Sequence, residues 1–244
     1  MKLNTKKANF INITLAALVL SGMTSNAYAQ QFTVKIQNLT HGSHFTPLLV
    51  AAHSADNYLF KIGEVATSSL QAMAEGGAIS ALSSDLTASG SILSENPAGG
   101  LLAPGAHTKT EMMNTDGTNN GYLSVVAMVL PSNDGFVGLS NWKIPDVAGT
   151  YTINVNAYDA GTEANNELLG ATNAGAPNTL GAPGAPSGSA GTNGVGAADE
   201  DTNKKVHIHR GILGDTNSKG GVSDFDSRVH RWLNPVARIT VDVK

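Results

Sequence analysis

The nine residues from Tyr122 to Leu130 form an almost unbroken apolar run, and this run constrains the fold more than any other stretch. Its length and composition fit a central β-strand covered on both faces. The turn residues Pro131-Ser132-Asn133-Asp134-Gly135 follow at once, and Phe136 to Ile144 is long enough to travel back along the same sheet. Around this strand the chain alternates with period two. Phe32, Val34 and Ile36 alternate with Thr33, Lys35 and Gln37, as a strand with one buried face requires. Tyr151, Ile153, Val155 and Ala157 repeat the pattern, as do Ile239, Val241 and Val243, while Val206 with Ile208 and Thr108 to Met113 are shorter candidates.

One segment has helical spacing instead. Ala66, Leu70, Met73 and Ala74 fall on one face, Thr67 or Ser68 can cap the start, and Gly76-Gly77 can end it. Ile79, Leu82 and Leu86 mark a second short helix, and both helices are expected across one end of a sandwich. The predicted fold is all-β: an antiparallel β-sandwich of about eight strands with one or two short helices.

Residues 1–29 read as a signal peptide rather than as part of this fold. Lys2, Lys6 and Lys7 precede a short apolar stretch, Ile11 to Leu20, and Ala27-Tyr28-Ala29 is a small-x-small cleavage pattern. The stretch falls short of a membrane span of about 20 residues, which favours cleavage after Ala29 over an uncleaved anchor. The expected mature chain, residues 30–244, is therefore exported, periplasmic or secreted, with no membrane span. The chain has no cysteine, so its stability must come from its core rather than from disulfides, with bound ions as a further available source. Removing residues 1–29 takes three of the 15 basic residues and none of the 19 acids, which leaves a net charge of −7. An acidic surface of this kind argues against nucleic acid as a partner. Residues 170–198 are rich in Gly, Ala, Pro, Ser, Thr and Asn, with Leu180 and Val195 as the large apolar residues. Such a stretch buries too little surface to offset its ordering entropy, and it reads as a flexible insertion within one domain.

The chemistry concentrates in two acidic turns. Asp134 follows the run Tyr122–Leu130, and Asp159 follows the strand that begins at Tyr151, with Glu163 close behind. Two chain reversals between them place both strand ends on one edge, where Asp134, Asp159 and Glu163 can converge. Carboxylates and free backbone oxygens on constrained loops are the ligands a calcium ion takes, about six to eight in number. The plain alternative is that Pro-Ser-Asn-Asp-Gly and Asp-Ala-Gly-Thr are ordinary turns, since the same residues dominate turns everywhere.

The histidines form a second candidate. His207 and His209 stand two apart on a strand and so project from one face, an arrangement known from zinc and copper sites. No third ligand is fixed by spacing, so a polar solvent face is the favoured reading of the pair. His41, His44 and His53 cluster earlier, and His230 is near Trp232. Gly214–Asp226 carries Asp215, Asn217, Asp224 and Asp226 but lacks a full calcium-loop pattern, and it reads as a solvated loop. The chain has no Gly-x-Ser-x-Gly elbow, no His-Glu-x-x-His and no phosphate-binding glycine loop, and it is read as non-catalytic.

Several stretches together resemble the spondin domain of F-spondin, mindin and many bacterial exported proteins. They are Pro131-Ser132-x-Asp134 with Val137-Gly138-Leu139, then Asp159-Ala160-Gly161-Thr162 followed by an acid. Phe32–Thr40, Pro47–His53, Phe60–Glu64 and Asn234–Ile239 fit as well, so the resemblance spans roughly residues 31–244 apart from the Gly/Ala-rich insertion. It implies an eight-stranded antiparallel sandwich with one calcium site at its edge, whose three carboxylates map onto Asp134, Asp159 and Glu163. Glu163 stands where the animal members have aspartate, and Gly135 and Tyr158 stand where they usually have tryptophan. The animal members carry additional adhesive modules, so their integrin and matrix partners do not transfer. The expectation is a calcium-binding adhesion or interaction module for an unidentified protein or cell-surface partner; the alternatives are a histidine-based zinc or copper protein or enzyme, or a subunit of an extracellular assembly.

Overall fold

The computed structural model describes residues 30–170, 175–176 and 178–244; the signal peptide expected at residues 1–29 lies outside them. The elements are β1 (Gln31–Asn38), β2 (His44–Phe45), β3 (Leu49–His53), α1 (Ser68–Gly76) and α2 (Ser80–Ala88). There follow β4 (Ile92–Glu95), β5 (His107–Lys109), β6 (Met113–Asn114), β7 (Tyr122–Leu130) and β8 (Gly135–Lys143). The chain closes with β9 (Gly149–Val155), β10 (Ala157–Asp159), β11 (His207–Ile208) and β12 (Ala237–Val243).

These strands form two antiparallel sheets. One runs β5-β1-β12-β9, with β6 also on β1; the other runs β11-β10-β8-β7-β3-β4, with β2 also on β7. The sheets face each other across a core that includes Phe32, Val34 and Ile36 from β1 and Ile239 and Val241 from β12. Val125, Ala127 and Val129 of β7 enter it from the other side. Twelve strands are present among the described residues, three of which (β2, β6 and β11) are two-residue pairings.

The unbroken apolar run of β7 has a direct structural cause. Its odd residues meet the facing sheet, while Val126 packs on the other side with Leu70 and Met73 of α1, Leu82 and Leu86 of α2, and Phe136 of β8. The two helices therefore lie over one face of the larger sheet, where β7 and β3 need cover, rather than across an end. The Thr67 side chain accepts a hydrogen bond from the Leu70 N–H and Gly77 closes α1 in the left-handed conformation, at φ 71°. That is the capping chemistry the sequence offers at both ends.

A buried polar chain crosses the sheet. The His53 Nδ1–H donates to the Ser54 carbonyl at 2.8 Å, so Nε2 accepts from the Ser124 hydroxyl at 2.7 Å. The Ser124 oxygen in turn accepts from the Asn141 N–H at 2.9 Å, at the irregularity in β7–β8 pairing between Leu123 and Val125. Burial lowers the His53 pKa and keeps the ring neutral. Ser124→Ala leaves a buried ring nitrogen and a backbone N–H unpaired and is expected to cost about 1–3 kcal/mol in denaturant unfolding.

The described part of 170–198 forms no helix or strand beyond an isolated bridge between Leu169 and Ala182. It is nevertheless tied to the body by backbone bonds. Ala182 is buried in the core between the sheets. Gly191, Val195 and Gly196 donate to carbonyls of Asp224, Gly221 and Val222.

Candidate functional site

The turn between β7 and β8 is locked from within. The Ser132 hydroxyl donates to the Val129 carbonyl at 2.6 Å, and the Gly135 N–H donates to the Ser132 oxygen at 3.1 Å. Both Ser132 and Asp134 are fully buried. Asp159, at the end of β10, is paired directly with Gly135 across the β8–β10 ladder. The two strand ends thus share an edge, as the two chain reversals require. Gly135 leaves no room for a side chain: a Cβ there would come within 2.8 Å of the Ser132 hydroxyl and 2.9 Å of the His209 ring.

The loop after β10 folds back over Asp134. Gly161 turns it at φ 71°, and the Asp134 Oδ2 then accepts from the Thr162 N–H at 2.8 Å, the Thr162 hydroxyl at 3.2 Å and the Glu163 N–H at 3.2 Å. All these donors converge on one oxygen. The other, Oδ1, is buried with no hydrogen-bond partner. Burial, and then the neighbouring Asp159 charge, push the Asp134 carboxyl up to about 8. Asp159 is likewise raised, mainly by burial; its Oδ1 accepts from the Gly161 N–H at 2.8 Å and its Oδ2 from the Asn165 amide at 2.5 Å.

Glu163 is at this edge through its backbone, but its carboxylate faces elsewhere. Oε1 accepts from the Gly181 N–H, and Oε2 is buried without a partner. Burial raises its carboxyl to about 7, and the Glu75 charge on α1 adds to the rise. Among the described residues no Lys or Arg makes an ion pair with Asp134, Asp159 or Glu163.

The two candidate histidines part company. β11 ends at Ile208, so the alternation that would keep His209 on the His207 face stops. His207 is half-buried and directly opposite Asp159 in the β10–β11 pair. Its Nδ1 is 2.8 Å from the Lys205 carbonyl and 3.8 Å from the Asp159 Oδ1. His209 is fully buried against Trp232, with ring centroids 5.0 Å apart, and burial lowers its pKa to about 3. Its Nδ1 accepts from the Gly211 N–H at 2.9 Å. The proton of this neutral ring therefore sits on Nε2, and neither nitrogen offers a free lone pair.

Among the described residues, Asp159, Asp201 and His207 form a group of three whose ligand atoms lie within 4.8 Å of one another. The residue patterns do not single out Asp201. Its one sequence signal is the acidic run Asp199-Glu200-Asp201 a short way before His207. The Gly214–Asp226 stretch satisfies itself. Asp215 accepts from the N–H groups of Asn217, Val222 and Ser223, and Asp226 pairs with Arg228 at 2.6 Å, so both carboxyls fall below their usual range.

The family model described as Spondin_N matches residues 17–179 of the 244. The match contains Asp134, Asp159 and Glu163 and ends before Asp201 and His207. No curated protein matches the chain.

Proposed function

The chain belongs to the spondin N-terminal domain family, and from that premise we propose that it is an exported, non-catalytic interaction module whose loop edge is organised by a calcium ion. The observation that carries this reading is the Asp134 carboxylate. It is buried beside Asp159, has three donors on Oδ2 and none on Oδ1, and among the described residues no Lys or Arg makes an ion pair with it. A buried charge left this way is costly unless a cation meets it. Hard oxygen donors on two loops fit calcium, with backbone carbonyls and water supplying the remaining ligands. Asp134 and Asp159 would hold the ion, and Glu163 would join by turning its carboxylate from Gly181. Bound there, calcium supplies the positive charge that neutralises these carboxylates and links the β7–β8 turn to the 160–163 loop.

Export, to the periplasm or beyond, and an extracellular or cell-surface protein partner belong to the same reading. Among the described residues no helix is long and apolar enough to cross a membrane. The non-catalytic reading draws support from Ser124 and His53. They have the spacing of a nucleophile and its base, yet both are fully buried inside the sheet and closed to substrate. Calorimetric titration of calcium into metal-stripped protein should show one site that Asp134→Asn and Asp159→Asn each abolish. No binding heat, or heat unchanged in both variants, would overturn the proposal.

A further inference from the structure

We propose that Asp159, Asp201 and His207 form a site for a borderline divalent transition-metal ion of the zinc class. The inference goes beyond the calcium reading, with which it shares Asp159 alone. Three observations carry it. First, Asp159 and His207 are directly opposed in the β10–β11 ladder, so their side chains leave the sheet as neighbours about 5 Å apart at Cβ. Asp201, on the loop that leads into β11, completes a group with all ligand atoms within 4.8 Å. Two carboxylates and an imidazole match the nitrogen and oxygen donors of catalytic-type zinc sites, which keep an open position. Calcium, an oxygen-binding ion, makes no use of the imidazole.

Second, the donors are positioned. The Asn165 amide reaches both carboxylates, at 2.5 Å from the Asp159 Oδ2 and 3.4 Å from the Asp201 Oδ2. The Asn203 N–H donates to the Asp201 Oδ1 at 3.0 Å. The incoming loop is pressed against Gly161, where a Cβ would come within 2.6 Å of the Lys205 nitrogen. Hydrogen bonds that orient the ligands are the usual surroundings of a metal centre. Third, the negative charge lacks a fixed counter-charge. Among the described residues no Lys or Arg pairs with Asp159 or Asp201. Asp134, with its partnerless buried Oδ1, lies in the β7–β8 turn next to Gly135, the residue paired with Asp159. Asp159 is buried while Asp201 and His207 are half-exposed, so an ion reaches the site from solvent.

The test is calorimetric titration of zinc into metal-stripped, tag-free protein, with the His207 ring signals followed by NMR. One zinc per chain and a shift of the His207 ring are expected. His207→Ala and Asp201→Asn, both at half-exposed positions, should remove the site. Asn165→Ala, which deletes only the bridging amide, should weaken zinc by about 10–100-fold. Asp134→Asn should leave zinc stoichiometry intact while removing calcium binding, so the two readings fail separately. Zinc bound equally well by His207→Ala and Asp201→Asn would mean adventitious binding at other histidines, and it would overturn the inference, as would the absence of stoichiometric zinc.

Discussion

In chelator at pH 8, Asp134→Asn should raise the melting temperature of the protein. Removing a buried charge that has no counter-ion is worth about 3 kcal/mol, which for a chain of this size is roughly 6–12 °C. The sign follows from linkage. Asp134 titrates at about 8 in the folded chain against 3.8 when free, so the folded state binds more protons than the unfolded state between those values. Stability of the metal-free protein then falls as pH rises through that range. Glu163, raised to about 7 from 4.5, acts in the same direction. His209, lowered to about 3 from 6.5, opposes them only below pH 6.5, where unfolding lets the ring take up a proton. The interval from about 6.5 to 8 therefore isolates the carboxylates. Differential scanning calorimetry in chelator should show the melting point falling across it in the wild type and falling less in Asp134→Asn.

Phe136→Ala should be the most damaging single truncation near the site, at about 3–5 kcal/mol. The side chain is fully buried, 5.0 Å centroid to centroid from Phe60 at 84° and 5.8 Å from Tyr158. It belongs to the cluster that fixes α1 and α2 on the larger sheet, and it stands two residues after Asp134 on β8. Its loss opens a cavity behind the acidic edge, so calcium affinity should fall along with stability. Phe136→Leu, which keeps most of the volume, should cost less than half as much. Equal denaturation midpoints for Phe136→Ala and wild type would show that this cluster contributes little.

Much of the architecture is written in local patterns. The apolar run Tyr122–Leu130 coincides with β7 because both of its faces are covered, and Thr67 and Gly77 bound α1 because capping chemistry acts within one turn. The placement of Asp134 and Asp159 at one edge, with Asp159 paired to Gly135, follows from counting strand reversals. The placement of the helices does not, because helical spacing defines an apolar face and leaves open what covers it. Asp201 is illegible for a different reason. It reaches Asp159 through Asn165 and through loop contacts beyond the Gly/Ala-rich segment, and no periodicity encodes such contacts. Glu163 shows the same limit, since its carboxylate is drawn toward Gly181 within that segment. His209 departs from His207 because β11 ends between them and period two ends with it.

If the Asp134–Asp159 edge holds a cation as proposed, the melting temperatures of wild type and Asp134→Asn at pH 8, each with calcium and with chelator, must separate. Calcium at 100 times its dissociation constant should stabilise the wild type by about 2.7 kcal/mol, placing it above its own chelator value. Asp134→Asn should melt at one temperature in both conditions, higher than metal-free wild type. A wild type indifferent to calcium, or a variant that responds to calcium as the wild type does, would contradict the account.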